Sequence, residues 1–85
     1  MHVEIITPEG TLYASEASQV LVPGEKAPFA MRENHQAILS TLLEGRVRIT
    51  TPEGSDVLVM ISGNAIVEQH ANRVSIMASR AELLP

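Results

Sequence analysis

Apolar and polar residues alternate along most of this chain, in short segments that end at Pro, Gly or Asn. Residues 46–50 show the pattern clearly, because Val47 and Ile49 fall on one face of an extended strand and the two arginines fall on the other. Turn residues recur at intervals of about eight to twelve positions, which is typical of all-β sandwiches and barrels. The pattern therefore predicts an all-β domain, either a sandwich or a flattened barrel.

Several turns can be placed by residue type. The sequence Thr-Pro-Glu-Gly occurs at 7–10 and again at 51–54, and both copies suit β-turns with Pro at the second position. Ser62, Gly63 and Asn64 are expected to interrupt the apolar run at 57–61, while Ala71 and Asn72 are expected to reverse the chain. No helix longer than one turn is predicted before Ser79. Only residues 79–85 could start a helix.

Two facing sheets would bury the inward members of the alternating segments. The predicted core residues are Val3, Ile5, Val20, Val22, Leu39, Val47, Ile49, Val59, Ile61, Val74 and Ile76. A shift of one residue in the register of any strand would exchange its two faces.

Composition narrows the function classes. The chain has 85 residues, a formal net charge of −4 and no cysteine. An acidic balance argues against nucleic-acid binding, which requires clustered Lys and Arg. Without cysteine there are no disulfides or thiolate metal sites. No apolar run is long enough to cross a bilayer, and the N-terminus lacks the pattern of a signal peptide. We expect one soluble, intracellular domain without direct membrane insertion.

A search for catalytic motifs finds none. His2, His35 and His70 lack metal-ligand spacing, and no nucleophile elbow or phosphate-binding loop occurs. From the residues alone, His35 is a loop histidine whose ring bonds nearby backbone. We predict no catalytic residue, cofactor or metal. A small ligand- or carbohydrate-binding sandwich is the alternative, although aromatic residues are only 2% of the chain. A small hydrolase or metal enzyme would require His35 or His70 beside carboxylates.

A series of short motifs carries a family resemblance. In order they are Ile5-Ile6-Thr7-Pro8-Glu9-Gly10, Val20-Leu21-Val22-Pro23-Gly24, the segment with Phe29, His35 and Leu39, Gly45-Arg46-Val47-Arg48-Ile49, Ser62-Gly63-Asn64-Ala65 and Asn72-Arg73-Val74-Ser75-Ile76. This order resembles the N-terminal domain of the epsilon subunit of F-type ATP synthases over nearly the whole chain. Departures cluster in the loop region, where Ala27 and Ala30 replace family glycines, Glu33 and Ala37 replace prolines, and Gln36 replaces alanine.

The resemblance implies a β-sandwich of about ten short strands in two five-stranded sheets, formed by residues 1–80. Residues 81–85 would be a short tail in place of the family's C-terminal helical hairpin, whether in a naturally short subunit or a truncated one. The implied function is a non-catalytic rotor subunit that links the gamma subunit to the membrane c-ring. It would couple ion flow to ATP synthesis without inhibiting hydrolysis, on the cytoplasmic face of the bacterial inner membrane.

The resemblance also implies contact residues. By position in the motifs, Thr7, His35 and Ser40 would contact the gamma subunit. Residues Glu25, Lys26 and Pro28 would contact the c-ring. Neither set follows from composition or spacing alone.

Overall fold

The computed structural model describes all residues from Met1 to Pro85, and its regular structure consists entirely of strands. The strands are β1 (His2–Thr7), β2 (Gly10–Glu16), β3 (Gln19–Val22), β4 (Phe29–Arg32), β5 (Ile38–Leu42), β6 (Gly45–Thr50), β7 (Asp56–His70) and β8 (Arg73–Leu83). No helix long and apolar enough to cross a membrane occurs. The all-β prediction is confirmed.

A long antiparallel hairpin of β7 and β8 runs through the whole molecule. Its turn is formed by Ala71 and Asn72, with φ of 51° and 61°, as a two-residue hairpin loop requires. The pairing shifts register at a bulge between Ser62 and Ala65, which divides the hairpin into two halves. A bulge bends the strands and increases their twist, so the two halves can belong to different layers.

Each half of the hairpin lies in its own five-stranded layer. The first layer has the order β4-β3-β6-β7-β8, and the second layer has the order β5-β7-β8-β1-β2. The two layers face each other as a sandwich. The predicted ten short strands in two five-stranded sheets are thus found as eight continuous strands, because β7 and β8 each contribute to both layers.

The predicted break of the strand at residues 62–64 is wrong, since β7 continues through them as a single strand and only its register shifts. Gly63 absorbs the bulge with a φ of 76°, a backbone conformation that side chains with a Cβ rarely adopt. The chain therefore bends at this position without leaving the sheet.

The core contains 17 buried apolar residues between the layers. Every predicted core residue is among them except Leu39, which is 70% exposed, so that prediction is wrong. In β5, Leu39 pairs with the exposed Glu68 of β7, and Leu42 turns inward instead. The register of β5 is therefore one residue away from the predicted one.

Residues near the C-terminus extend the sheet. The helix considered for 79–85 does not form, because β8 continues to Leu83 and pairs with β7 as far as Val59. Beyond the strand, the Leu84 N–H donates a hydrogen bond to the carbonyl oxygen of Leu58 at 2.9 Å. Residues 81–83 of the segment 81–85 are thus part of β8.

The bulge glycine generates a first prediction. Replacing Gly63 by Ala would place a Cβ 2.6 Å from Cβ of Ser79, besides straining the backbone. We expect Gly63→Ala to lower the free energy of unfolding by about 3 kcal/mol in urea denaturation. Gly54→Ala is the matched control, because Gly54 also has a positive φ, of 91°, but open space around it. It should cost about 1 kcal/mol. Equal losses of unfolding free energy in the two variants would show that the close approach of Ser79 to Gly63 does not matter.

The assignment of faces in β7 generates a second prediction. Ile66 and Val67 are neighbours in sequence, but Ile66 points outward and Val67 is fully buried. We expect Val67→Ser to lower the free energy of unfolding by about 2–4 kcal/mol, because it removes core methyl groups and buries a hydroxyl. Ile66→Ser should cost under about 1 kcal/mol. Urea denaturation of both variants checks this, and a larger loss for Ile66→Ser would show that the faces are reversed.

Candidate functional site

The outer face of the second layer carries a row of apolar side chains across its central strands. Ile66 of β7 pairs with Met77 of β8, and Met77 pairs in turn with Ile6 of β1. Leu39 of β5 projects from the same face, one row away. Ile66 and Met77 are each 37% exposed. We refer to Leu39, Ile66, Met77 and Ile6 as the apolar stripe.

The apolar stripe is not needed to close the core. A sandwich strand with one solvated face normally alternates between apolar and polar residues. Residues 65–67 and 76–78 are instead apolar at three successive positions, so both faces of β7 and β8 are apolar there. Sequence reasoning missed the stripe, although these two uninterrupted runs were the signal for it. Contiguous exposed apolar residues on a small domain indicate an interaction surface.

A charged cluster borders the stripe on the same face, at the end of the layer nearest the hairpin turn. His2 lies between two carboxylates, with Nδ1 3.1 Å from Oε2 of Glu16 and Nε2 3.2 Å from Oε1 of Glu4. Arg73 places Nη2 3.6 Å from the same Glu4 oxygen. An apolar centre with a polar edge is the usual arrangement of protein–protein interfaces.

The loop that contains His35 lies between β4 and β5, beside the hairpin turn. His35 is exposed, and its Nδ1 is 2.8 Å from the carbonyl oxygen of Gln36. Of the two interpretations of His35, the bond to nearby backbone is therefore present. The loop also contacts the turn directly, because the Asn34 N–H donates to Oδ1 of Asn72 at 2.7 Å.

A second loop, residues 24–28, runs along the edge strand β5. Glu25 and Lys26 are exposed, and neither forms an ion pair within the chain. The Glu25 N–H donates to the carbonyl oxygen of Thr41 at 3.2 Å, which holds the loop against β5. Glu25, Lys26 and Ser40 border one shallow depression. Pro28 is exposed at the end of this loop.

The residues expected at the gamma contact are spread over the second layer. β1 begins beside the hairpin turn, where His2 pairs with Arg73, and it ends at Thr7. Thr7 and His35 therefore lie at opposite ends of the layer. The Thr7 hydroxyl contacts the backbone of its own turn, accepting from the Glu9 N–H at 3.3 Å. The structure thus brings Ser40 to the 24–28 loop but does not bring Thr7 and His35 together.

The structure does not form the metal centre or the aromatic groove considered from the sequence. No three His, Cys, Asp or Glu side chains are grouped as a metal site would require. Tyr13 and Phe29, the two aromatic residues, are partly buried and pack against the core. The aromatic-lined groove that a carbohydrate-binding module would need is therefore not formed by them.

Comparisons with known proteins agree with this architecture. Residues 1–84 match the family described as ATP synthase, Delta/Epsilon chain, beta-sandwich domain. An ATP synthase epsilon chain of Neisseria meningitidis is 34% identical over 82 residues, covering 95% of this chain and 58% of the relative. The corresponding chain of Brevibacillus brevis is 32% identical, with coverage of 98% and 62%. This chain thus spans about three-fifths of the length of these relatives.

Solved structures show the same fold at lower identity. A chain of the Euglena gracilis mitochondrial ATP synthase, solved as an OSCP/F1/c-ring assembly, superposes with a TM-score of 0.87 at 12% identity, covering 95% of this chain and 51% of that one. A chain of the Tetrahymena thermophila mitochondrial ATP synthase, from a central stalk/c-ring structure, gives 0.76 at 20% identity, with coverage of 96% and 65%. With the family match over residues 1–84, the chain belongs to the ATP synthase delta/epsilon family through its β-sandwich domain.

Proposed function

We propose that this domain is a non-catalytic part of the central stalk of an F-type ATP synthase, linking the gamma subunit to the c-ring. Family membership supports the assignment, and the apolar stripe is the observation in the structure that carries it. The stripe crosses paired strands at the centre of a layer. Its members Leu39, Ile66 and Met77 are exposed in the isolated chain, and Ile6 is half-buried. An apolar surface of this kind on a small domain is explained by a partner that covers it.

The apolar stripe is the proposed contact for the gamma subunit. Ile66 and Met77 project from the two strands that also hold the core together, so they are presented on a rigid backbone. A rigid surface loses little conformational entropy on binding, which favours a stable contact. We assign Thr7 and His35 to the edges of this contact, where polar groups surround an apolar centre. Ser40 points away from the stripe, so we assign it to a contact at the edge of β5, beside the 24–28 loop.

The loop at residues 24–28 is the proposed contact for the c-ring. Glu25 and Lys26 present opposite charges without partners in the chain, and Pro28 is exposed beside them. Unpaired charges of both signs suit a polar partner surface and help to select its orientation. The loop lies along the edge strand β5, and the stripe reaches that strand at Leu39, so one domain can contact both partners.

Coupling by such a domain requires rigid, complementary surfaces and no chemical step. Ion-driven rotation of the ring would pass through the 24–28 loop and the sandwich to gamma, and from there to ATP synthesis. The curated relatives are bacterial, which supports a position at the cytoplasmic face of the inner membrane, peripheral to the bilayer. Inhibition of hydrolysis through a helical hairpin is not assigned to residues 1–85, since their regular structure is all strand.

The gamma contact is tested by substituting two methionines that lie on the two outer faces of the sandwich. We expect Met77→Asp, in the apolar stripe, to weaken binding of gamma from the same ATP synthase at least about tenfold, because it places a charge at the centre of the contact. Met60→Asp is the matched control, since Met60 is 38% exposed but projects from the outer face of the first layer. It should bind gamma like the wild type. Calorimetry or biolayer interferometry measures both, and circular dichroism checks the fold.

Three results would oppose this proposal. If the wild type does not bind gamma at micromolar concentration, the stalk assignment is wrong. If Met60→Asp weakens binding as much as Met77→Asp, the contact does not distinguish the two outer faces. If Met60→Asp alone is defective, gamma binds the first layer instead.

The ring contact is tested by cross-linking in the assembled complex. We expect a photoreactive reagent on Lys26→Cys to label the c-ring, because residue 26 lies at the tip of the proposed ring-facing loop. Glu53→Cys is the control, since Glu53 is also exposed but lies in the turn after β6, at the opposite end of that strand from the 24–28 loop. Labelling of the ring from residue 53, or from neither residue, would contradict the proposed orientation.

A further inference from the structure

We infer that His35 meets its partner as a hydrogen-bond acceptor through Nε2, and that Gln69 and the Asn34–Asn72 pair hold it in position for this. The inference rests on the proposed docking of the gamma subunit and adds the chemistry of one contact. The group on the partner would be an N–H or O–H donor.

Gln69 anchors the loop from the core side. It is the only buried polar residue of the chain and is 1% exposed. With its amide nitrogen directed at the loop, it donates to the carbonyl oxygen of Gln36 at 2.7 Å and to that of His35 at 3.1 Å. Burying an amide without hydrogen-bond partners costs free energy of folding. The two hydrogen bonds to the loop carbonyls therefore stabilise the buried position of Gln69. The carbonyl groups of the His35–Gln36 peptide and of the next peptide are thereby fixed to β7.

The Asn34–Asn72 pair anchors the same loop from the hairpin turn. The Asn34 N–H donates to Oδ1 of Asn72 at 2.7 Å, and Nδ2 of Asn72 donates to Oδ1 of Asn34 at 3.3 Å. Both residues have positive φ, 62° and 61°, a conformation that Asn tolerates better than most residues. Two reciprocal bonds between segments 38 residues apart in sequence restrict how far the loop can move.

The backbone in turn fixes the His35 ring. Its Nδ1 is 2.8 Å from the Gln36 carbonyl oxygen, which can only accept, so Nδ1 carries the proton of that bond. In a neutral imidazole the other nitrogen then has a free lone pair. The side chain is exposed, and Nε2 forms no hydrogen bond within the chain. Nε2 is therefore available as an acceptor at a defined position.

Fixing a loop before binding favours the complex mainly by slowing its dissociation. A mobile loop must be ordered when the partner docks, and this reduces the affinity. Gln69 and Asn72 act through His35 and need not touch the partner, so we describe them as positioning residues. Their effect on affinity should depend on the presence of the His35 ring, and this distinguishes positioning from general stabilisation.

The tautomer of His35 is measured on the free domain by ¹⁵N NMR at a pH where the ring is neutral. We expect the Nδ1–H form to dominate. A dominant Nε2–H form would overturn the inference without reference to any partner, because Nε2 would then be a donor.

The acceptor is tested by two variants of His35 in gamma binding. In His35→Gln the amide oxygen can approach the position of Nε2, so affinity should stay within about threefold of the wild type. In His35→Asn the amide reaches only the position of Nδ1, and we expect a loss of about tenfold. Equal affinities for the two variants would overturn the assignment of Nε2.

Positioning is tested by a double-mutant cycle. Asn72→Gly keeps a positive φ accessible while removing both side-chain bonds, and should raise the dissociation rate about three- to tenfold. Ala71→Gly is the control, since it loosens the same turn without removing a side-chain hydrogen bond, and it should leave the rate unchanged. In a His35→Ala background, Asn72→Gly should have little further effect, because the ring it positions is absent. Gln69→Leu should behave like Asn72→Gly, with NMR confirming that it folds.

An Asn72→Gly effect that is undiminished in the His35→Ala background would overturn the inference, as would an equal effect of Ala71→Gly. If the wild type binds gamma and no variant differs from it, the inference is wrong and the proposed function stands. If the wild type itself does not bind gamma, the proposed function falls and the inference falls with it.

Discussion

The antiparallel pairing of β7 with β8 is the interaction on which the rest of the structure depends. Its hydrogen bonds run from His70 and Arg73 at the turn to Val59 and Leu83 at the far end. β5 and β6 pair with the other edge of β7, and β1 pairs with the other edge of β8. The bulge at residue 63 divides this hairpin between the two layers. The hairpin therefore joins two sheets that would otherwise be held together only by packing in the core.

This architecture also explains why the candidate docking face is apolar. Residues 65–67 and 76–78 belong to the half of the hairpin in the second layer, with Val67 and Ile76 buried against the first layer. Ile66 directly precedes Val67 and Met77 directly follows Ile76, so both project from the opposite face. The strands that hold the core thus also present the stripe. Mechanical force applied to the stripe would be carried by the most extensively paired strands of the domain.

Local sequence was enough to predict the fold class and most of the core. In residues 46–50 strict alternation determines both strand and face, and the structure has Val47 and Ile49 buried. Leu39 was misassigned because Ile38, Leu39 and Leu42 allow either register, and only the pairing of β5 with β7 decides between them. The bend at Gly63 had the residue types of a turn, and only the continuous partner strand keeps that segment within the sheet.

The candidate site was less predictable for the same physical reason. A contact surface is assembled from residues far apart in the chain, and sequence does not show which rows of a sheet lie side by side. Ile66, Met77 and Ile6 become neighbours only through the pairing of β7, β8 and β1. The spacing of Thr7 and His35, at opposite ends of the layer, is likewise a property of the topology. Family resemblance supplied those two residues, but not the stripe between them.

Strand β5 connects the two surfaces proposed for the partners. Leu39 belongs to the apolar stripe, while the next residue, Ser40, points to the other face of the strand. Both residues border the depression beside the 24–28 loop. The backbone of Thr41 then accepts a hydrogen bond from Glu25 of that loop. A load on Glu25 or Lys26 would therefore reach the stripe through one strand and its ladder to β7. A short path through paired backbone stretches little, which is the mechanical property that a coupling domain requires.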